Sequence, residues 1–390
     1  MNAASAPVVT CAFDAGAIDV LAAQPGPVFD LRIRRDSHAD FTQWFYFRLS
    51  HARGLSCTLR FVNAGACTYA DGWKSYRVVA SYDREHWFRV DTRYDGTVMT
   101  VEHTPERDAV WYAYFEPYSH ERHQDLIARA ARSPLVHVEN LGATVDGRDL
   151  DLLTVGAPGP GRKTVWMIAR QHPGETMAEW FMEGLIERLL DVEDPVSRRL
   201  LERAVFHLVP NMNPDGSARG NLRTNAAGAN LNREWMAPSL ETSPEVYHVR
   251  QRLQQTGVDA FFDIHGDEVL PYVFVAGGEM LPGFTDAQRA AQDAFSAAFR
   301  RASPDFQSVH GYAASKYSED ALKLASKWVG HTYGCLSLTL EMPFKDNADL
   351  PDPARGWSGE RSRKLGAAML TPLLASLAAE PSLSNHQELP

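Results

Sequence analysis

The first third of the chain alternates apolar and polar residues in short runs. Between about residues 28 and 114, segments such as Phe29-Asp-Leu-Arg-Ile-Arg34 and Cys57-Thr-Leu-Arg-Phe-Val62 place apolar side chains at alternating positions. Turn-forming residues, for example Asp95-Gly96, separate these runs. Several short strands at this spacing are typical of an all-β sandwich. The pattern therefore predicts an N-terminal β-sandwich domain in residues 1–116.

The pattern changes near residue 115, where apolar runs of strand length begin to alternate with stretches of helix length. Such alternation predicts an α/β domain with a parallel or mixed sheet, which we place at residues 117–380. The predicted strands lie at about 135–141, 150–155, 164–170, 204–209, 258–264, 271–276 and 335–341, and the predicted helices at about 119–130, 176–190, 195–203, 244–255, 286–301 and 358–379. The polar residues 381–390 are expected to form a disordered tail.

Composition narrows the classes of protein that this sequence can encode. The chain has 390 residues, and its net charge of −10 argues against a nucleic-acid-binding protein, whose surface would be basic. No apolar run approaches the roughly 20 residues needed to span a bilayer. The first 27 residues lack a secretory signal pattern, and the four cysteines are scattered. We therefore expect a cytoplasmic protein that binds neither nucleic acid nor membrane.

Polar side chains follow several predicted strands at the point where each strand ends. His172 and Glu175 follow strand 164–170, His265 follows strand 258–264, and Glu341 ends strand 335–341. Ligands bind beyond the carboxyl ends of strands in open α/β sheets, so we expect these side chains to lie together.

Imidazole and carboxylate groups suit zinc, which usually takes three protein ligands in a catalytic site. A single strand-end histidine more often has a structural role, and only the joint occurrence of these residues indicates a metal site. We predict that His172, Glu175 and His265 bind one zinc ion per chain. Glu341 is then the carboxylate that takes a proton from a water molecule whose acidity the metal has raised.

A long polar loop follows strand 204–209 and extends from Pro210 to Met236. It contains Arg219, Arg223 and the pair Asn232-Arg233. Loops of this length usually have a function, and the planar guanidinium of arginine matches a carboxylate. Beside a zinc site, such groups indicate an anionic substrate and a developing oxyanion. For Arg219 alone we expect an ordinary surface position.

These motifs, taken in order, resemble the zinc metallocarboxypeptidases, and more narrowly the cytosolic carboxypeptidase branch. In the N-terminal part, Gln43-Trp-Phe-Tyr-Phe47 and the segment Phe115 to Leu126 resemble the sandwich domain and junction of that branch. The resemblance extends from about Phe29 to Leu374. The motifs of the second part are His172-Pro-Gly-Glu175, Asn213-Pro-Asp-Gly216, Arg223, Gly228-Ala-Asn-Leu-Asn-Arg233, His265-Gly266 and Thr339-Leu-Glu341.

The resemblance implies a fold, an activity and residue roles. The implied catalytic domain is an α/β/α sandwich around a mixed sheet, and the implied activity is zinc-dependent hydrolysis of the last peptide bond of peptides or protein tails. Glu341 would be the general base, and Arg223 would polarise the scissile carbonyl and stabilise its oxyanion. Asn232 and Arg233 would bind the free terminal carboxylate, which explains why only the last bond reaches the metal.

Two further roles follow from the resemblance. Many members place a mobile tyrosine over the substrate; Tyr317 is our candidate, with Tyr312 and Tyr333 as alternatives. The cytosolic branch tends to keep a basic residue for acidic C-terminal side chains in the segment before the general base. Lys323 and Lys327 lie in that segment, and we select Lys327.

Two other functions are compatible with parts of the sequence. A zinc amidohydrolase acting on small N-acyl amino acids would keep the same metal and base residues, but the β-sandwich domain argues against it. A catalytically silent binding homologue is the second alternative. The intact set of His172, Glu175, His265 and Glu341 argues against that alternative, since a silent protein could lose these residues freely.

Overall fold

The computed structural model describes residues 6–24, 27–313 and 316–378. Within these residues, a β-sandwich is followed by a layered α/β domain. The last strand of the sandwich ends at Ala113 and the first helix begins at His120, so the predicted boundary at residue 116 falls in the connection between them. The predicted disordered tail, residues 381–390, lies outside the described residues.

The N-terminal domain contains two five-stranded sheets, ordered β1-β4-β10-β6-β7 and β2-β3-β5-β9-β8. Neighbouring strands are antiparallel except for the parallel pair β3 and β5. Aromatic rings join the sheets: the centroids of Phe47 on β4 and Phe61 on β5 are 6.1 Å apart. The strands are β1 (Val8–Thr10), β2 (Asp19–Gln24), β3 (Val28–Arg32), β4 (Tyr46–Ser50), β5 (Cys57–Phe61), β6 (Val79–Ser81), β7 (Trp87–Arg89), β8 (Thr92–Tyr94), β9 (Met99–His103) and β10 (Ala109–Ala113).

The second domain is built on a seven-stranded mixed sheet with the order β11-β12-β14-β13-β15-β17-β16. The four central strands, β14, β13, β15 and β17, are parallel to one another. The outer strands pair antiparallel. The strands are β11 (Val136–Ala143), β12 (Asp149–Val155), β13 (Lys163–Ala169), β14 (Ala204–Val209), β15 (Ala260–Asp267), β16 (Phe274–Ala276) and β17 (Leu336–Pro343).

Helices cover both faces of this sheet because side chains on its central strands alternate between two apolar layers. Val165 and Met167 of β13 belong to the cluster that contains α2 and α8. Trp166 and Ile168 belong to the cluster that contains α5 and α7. The result is the expected α/β/α sandwich. The helices are α1 (His120–Ala131), α2 (Met177–Leu189), α3 (Pro195–Arg203), α4 (Pro214–Arg219), α5 (Pro244–Thr256), α6 (Asp286–Ala302), α7 (Ala325–Tyr333) and α8 (Gly359–Ala378).

The observed elements follow the hydrophobic pattern closely. The predicted helix 195–203 and strand 204–209 have the same bounds as α3 and β14. Two helices, α4 and α7, were not predicted because each is short and lies in a segment without an extended apolar stripe. No helix in the described ranges is long and apolar enough to cross a membrane.

A buried arginine joins the two domains. Arg89, at the end of β7, is 8% exposed. Its guanidinium donates hydrogen bonds across the domain boundary to the carbonyl oxygens of Phe344 (2.9 Å), Trp357 (3.0 Å) and Arg355 (3.0 Å). Charged donors to carbonyl oxygens are among the stronger hydrogen bonds in proteins, so Arg89 fixes the sandwich against the α/β domain.

Two glycines allow α2 and α8 to cross at close range. A Cβ atom on Gly184 of α2 would overlap the backbone of Arg363, and one on Gly366 of α8 would overlap the carbonyl oxygen of Phe181. Helix α2 begins two residues after Glu175, so this packing also restrains the turn that carries the predicted metal ligands.

Candidate active site

A sharp turn after β13 presents the first two predicted ligands. Arg170, the residue that follows β13, has a φ of 58°, which is uncommon for a residue other than glycine. Its buried guanidinium donates to the carbonyl oxygen of Pro173 (2.9 Å) and to Glu179 on α2 (2.6 Å). The turn is therefore stabilised by its own arginine, and it places His172 and Glu175 at the carboxyl end of the sheet.

The structure brings the three predicted metal ligands together. Nδ1 of His172 lies 2.7 Å from Oε1 of Glu175, and Nδ1 of His265 lies 2.7 Å from Oε2 of the same carboxylate. The two Nδ1 atoms are 3.2 Å apart. The ligand atoms that the three buried residues offer all lie within 4.8 Å of one another. Two imidazoles and one carboxylate at this separation fit the donor set of a catalytic zinc site.

The outward nitrogens of both imidazoles have partners that orient the rings. Nε2 of His265 lies 2.8 Å from Oδ2 of Asp263, and Nε2 of His172 lies 3.1 Å from Oδ1 of Asn230. Gln171 donates to Asp263 over 2.7 Å. With the proton of each ring on Nε2, donated to these partners, Nδ1 would be left to face a metal at the centre of the cluster, as metal-binding histidines require.

The sequence analysis did not identify Asp263 or Asn230 as parts of the site. Asp263 could have been found, because it interrupts the apolar run of β15 and lies two residues before His265, on the same face of the strand. Asn230 lies in the motif Gly228-Ala-Asn-Leu-Asn-Arg233, but its contact with His172 depends on the path of a loop. Local sequence carries no signal for that contact.

Burial and neighbouring charges shift the pKa of each of the three predicted ligands. Burial lowers the pKa of His172 to about 3, and Arg223 adds to this effect. Burial acts against ionisation of Glu175, but His172 and His265 together bring its pKa below the usual range. Burial also opposes a charge on His265, whereas Asp263 and Glu175 hold its pKa well above the usual value. Glu175 is therefore a carboxylate at neutral pH, and His265 must release a proton before it can bind a metal.

Glu341 lies beside this cluster because β17 pairs with β15, with Glu341 opposite His265. Tyr312 donates from its hydroxyl to Oε1 of Glu341 (2.9 Å) and lies 3.0 Å from Oδ2 of Asp267. Oε2 of Glu341 is buried and has no hydrogen-bond partner among the described residues. Burial raises the pKa of Glu341 well above its usual value, and the charges of Glu175 and Asp267 add to this shift.

The structure brings Tyr312, rather than the predicted Tyr317, to Glu341. The ring of Tyr312 packs edge-to-face on Phe274 of β16, with centroids 5.0 Å apart, and β16 is the neighbour of β17. Tyr317 is not among the described residues that line the cavity. Tyr333 packs on Trp328, at a centroid distance of 6.2 Å. Of the three candidate tyrosines, Tyr312 is therefore the one whose hydroxyl lies beside the predicted general base.

Arg223, Asn232 and Arg233 line one cavity of about 1230 Å³ together with the predicted metal ligands and Glu341. A guanidinium nitrogen of Arg223 lies 3.9 Å from Oε1 of Glu175. Asn232 accepts from the backbone N–H of Ala325 (2.9 Å), and its carbonyl oxygen accepts from Arg233 (2.7 Å). The amide nitrogen of Asn232 lies 3.4 Å from Nε2 of His265, and both Asn232 and Arg233 line the cavity.

Of the remaining candidates, one lies in the cavity and two lie elsewhere. Lys327 lines the cavity, where burial lowers its pKa and Glu279 opposes that shift. Lys323 instead pairs with Asp320 at 2.7 Å. Arg219 forms an ion pair with Asp146 at 2.7 Å, which agrees with the surface position expected from its sequence.

Comparison with known proteins places this geometry in a family. The family model of the zinc carboxypeptidases matches residues 123–356, and the model of the cytosolic carboxypeptidase N-terminal domain matches residues 9–115. Cytosolic carboxypeptidase 6 of Mus musculus is 28% identical over 352 residues; the match covers 81% of this chain and 63% of that protein.

Solved structures agree along nearly the whole chain. A metallo-carboxypeptidase from Burkholderia cenocepacia is 60% identical and superimposes with a TM-score of 0.94, covering 95% of this chain and 99% of that one. A metallo-carboxypeptidase from Pseudomonas aeruginosa, in complex with (2-guanidinoethylmercapto)succinic acid, is 46% identical with a TM-score of 0.90, covering 94% and 98%. The chain therefore belongs to the zinc carboxypeptidase family and is a metallocarboxypeptidase, a hydrolase of peptide bonds.

Proposed function

We propose that this protein is a zinc-dependent carboxypeptidase of the cytoplasm that removes the last residue from peptides or protein tails. His172, Glu175 and His265 hold one zinc ion per chain. The observation that carries the proposal is the position of Glu341, which lies opposite the ligand His265 and has a buried oxygen without a partner. The cytoplasmic location is supported by the four cysteines, which are free thiols.

The chemistry divides between the metal and the side chains of the cavity. When bound, zinc supplies Lewis acidity to the carbonyl oxygen and to the attacking water. Glu341 takes a proton from that water and later returns it to the leaving amine. Arg223 donates to the carbonyl oxygen as negative charge develops there.

Exopeptidase action follows from recognition of the terminal carboxylate. Arg233 supplies a planar fork of donors and Asn232 supplies an amide N–H, and both face the cavity. A carboxylate bound between them fixes the distance from the chain terminus to Glu341. Only the last peptide bond then reaches the reacting groups.

Substitution of the general base tests the proposal. Glu341→Gln should keep about one zinc per chain but lose at least ~100-fold in turnover, the lower range for a general base. Glu360→Gln on α8 is the matched control and should leave both properties unchanged. Normal turnover by Glu341→Gln would contradict the assignment of the base, and a stable protein without zinc would contradict the metal site.

Amidated substrates test the carboxylate-binding role. Replacing the terminal carboxylate of a peptide by an amide should abolish cleavage, since Arg233 and Asn232 then face a neutral group. Unchanged cleavage would refute exopeptidase recognition through these two residues. Hydrolysis of N-acyl amino acids in preference to peptides would instead support a zinc amidohydrolase.

We further propose a preference for acidic C-terminal side chains, with Lys327 as the residue that binds them. The ammonium group of Lys327 lines the cavity, and burial that lowers its pKa would be relieved by an anionic partner. A basic preference is the second candidate. Glu279 and Asp293 also line this cavity, and the ligand of the Pseudomonas aeruginosa relative carries a guanidino group besides its succinic acid.

A panel of peptides that end in glutamate, lysine or leucine separates the two preferences. Lys327→Met should lower kcat/KM for the glutamate peptide by about 10-fold or more, the effect of losing one charged hydrogen bond, and should leave the leucine peptide unchanged. Lys323→Met is the matched control. Faster cleavage of the lysine peptide by the unmodified enzyme would refute the acidic preference.

A further inference from the structure

The backbone that carries Arg223 is held by a carboxylate of the other domain. Asp36 accepts hydrogen bonds from the N–H groups of Leu222 (2.6 Å), Arg223 (2.8 Å) and Thr224 (2.9 Å). It also accepts from the hydroxyl of Thr224 at 3.0 Å. Asp36 belongs to the β-sandwich domain, is 6% exposed and lies 187 residues from Arg223 in sequence. One buried side chain thus fixes three consecutive peptide groups at the edge of the active site.

The loop that supplies Asp36 is itself fixed on both sides. The N–H of Asp36 donates to the carbonyl oxygen of Phe41 (2.8 Å), which closes the loop. The N–H of Ser37 donates to Asn221 (3.0 Å), and a Cβ atom on Gly228 would overlap the carbonyl oxygen of His38. The two loops therefore dock backbone against backbone, and Asp36 has little freedom to follow any movement of Arg223.

Aromatic rings of the sandwich domain enclose the guanidinium. The Cζ atom of Arg223 lies 5.9 Å from the ring centroid of Phe41 and 5.4 Å from that of Tyr69. The side chain of Gln43 pairs with the backbone N–H and carbonyl of Tyr69, at 3.1 Å and 3.2 Å, and so holds this ring in place. Gln43 begins the segment Gln43-Trp-Phe-Tyr-Phe47, to which the sequence analysis assigned no chemical role.

We propose that Asp36 is a positioning residue of the active site, which sets the direction of the Arg223 guanidinium from across the domain boundary. The proposal rests on the proposed function, because it assigns Arg223 to the carbonyl oxygen of the substrate. Within the described residues the guanidinium donates no hydrogen bond to the protein. Its direction depends on its backbone, on the rings of Phe41 and Tyr69, and on the ion pair with Glu175 at 3.9 Å. The sandwich domain thereby completes the active site.

Asp36→Asn tests this role with little change in shape. The asparagine amide keeps one acceptor oxygen, but its NH₂ group replaces the other oxygen. That NH₂ group then faces a backbone N–H that donates to Asp36 in the unmodified protein, and two donors repel each other. The backbone of residues 222–224 must therefore shift. A displacement of about 1 Å in a catalytic group can cost ~100-fold in rate. We expect kcat to fall by about 10- to 100-fold, while KM changes by less than about 3-fold and the zinc content is unchanged. Asp40→Asn, which alters an exposed pair with Arg35 on the same loop, is the matched control.

A double-mutant cycle separates positioning from a general loss of structure. Arg223→Ala should itself lose about 100- to 1000-fold in kcat, as for removal of one oxyanion donor. In that background Asp36→Asn should cost less than about 2-fold, because the group that it orients is gone. Additive losses in kcat would overturn the proposal, as would full activity of Asp36→Asn.

The same cycle distinguishes failure of the two proposals. Full activity of Arg223→Ala would contradict the catalytic role of Arg223 in the proposed function. Loss of activity in Arg223→Ala, combined with full activity in Asp36→Asn, would contradict only the positioning role. If Asp36→Asn does not fold, Thr224→Val is the second test, because it removes one of the four hydrogen bonds to Asp36. Thr224→Val should give a smaller loss of kcat, and this loss should again disappear in the Arg223→Ala background. A loss that persists in that background would overturn the proposal.

Discussion

Replacement of Asp263 by asparagine should weaken zinc binding without touching a metal ligand. Asp263 is fully buried, and its Oδ2 lies 2.8 Å from Nε2 of His265 and 2.7 Å from the amide nitrogen of Gln171. Asparagine keeps the volume but removes the charge and offers a single acceptor oxygen. The NH₂ group of the asparagine would take the place of Oδ1 of Asp263. That position is buried and has no hydrogen-bond partner among the described residues, so the NH₂ group would find no acceptor there.

The magnitude follows from the lost charged hydrogen bond. Such a bond contributes about 1.5–3 kcal/mol, and tenfold in affinity corresponds to about 1.4 kcal/mol. The Kd for zinc should therefore rise by about 10- to 100-fold, which is the range for loss of a residue that orients a metal-binding histidine. The effect should depend on pH, because Asp263 also holds the pKa of His265 well above its usual value. Protons compete less for His265 in the variant, so the loss of affinity should be larger at pH 9 than at pH 6.

Competition with a zinc chelator measures this Kd directly, and activity at saturating zinc reports whether the cavity is otherwise intact. Asp259→Asn is the matched control, since Asp259 lies just before β15 and binds the backbone of Thr164 on the surface. The control should keep the affinity of the unmodified protein. A change of less than 2-fold for Asp263→Asn at pH 9 would refute the view that this carboxylate supports His265 as a ligand.

Three further predictions concern stability. Arg89→Met should lower the free energy of unfolding by about 3 kcal/mol, because four bonded carbonyl oxygens, three of them in the α/β domain, lose a charged donor. Urea unfolding measures the loss, and an unchanged midpoint would contradict the role of Arg89 in joining the domains. Burial raises the pKa of Glu116 to about 7, so the folded state binds more protons than the unfolded state between pH 4.5 and 7, and stability falls as pH rises through that window. Glu116→Gln should remove this slope, and an identical slope in the variant would contradict the assignment. Gly366→Ala should destabilise the protein, because the added Cβ would overlap the carbonyl oxygen of Phe181. Calorimetry would detect the lower Tm. An unchanged Tm would show that α2 and α8 can separate at little cost in free energy.

The sequence predicted those features that depend on local pattern and strand order. The strands β13, β15 and β17 are apolar runs that end in polar residues, and parallel neighbours bring such ends to one edge of a sheet. His172, Glu175, His265 and Glu341 therefore meet where their positions in sequence predicted.

Features that depend on how loops dock could not be predicted in this way. The position of Tyr312 beside Glu341 depends on the packing of its ring on Phe274 of β16, which the local sequence does not encode. The contact of Asp36 with the backbone around Arg223 joins segments 187 residues apart, and an isolated aspartate in a turn carries no sign of a distant partner. Asp263 is an intermediate case, because a carboxylate inside an apolar strand does indicate a buried partner.

The close crossing of α2 and α8 has a consequence for any attempt to shorten the protein. The zinc carboxypeptidase model ends at residue 356, three residues before α8 begins. A fragment cut at that border would leave the apolar side of α2 facing water, although no residue of the cavity would have been removed. Because Glu175 immediately precedes the first turn of α2, such a fragment should bind zinc poorly and aggregate. The part of the chain needed for a folded active site is thus expected to extend beyond the residues that the family model matches, and shortened versions of the protein should retain α8.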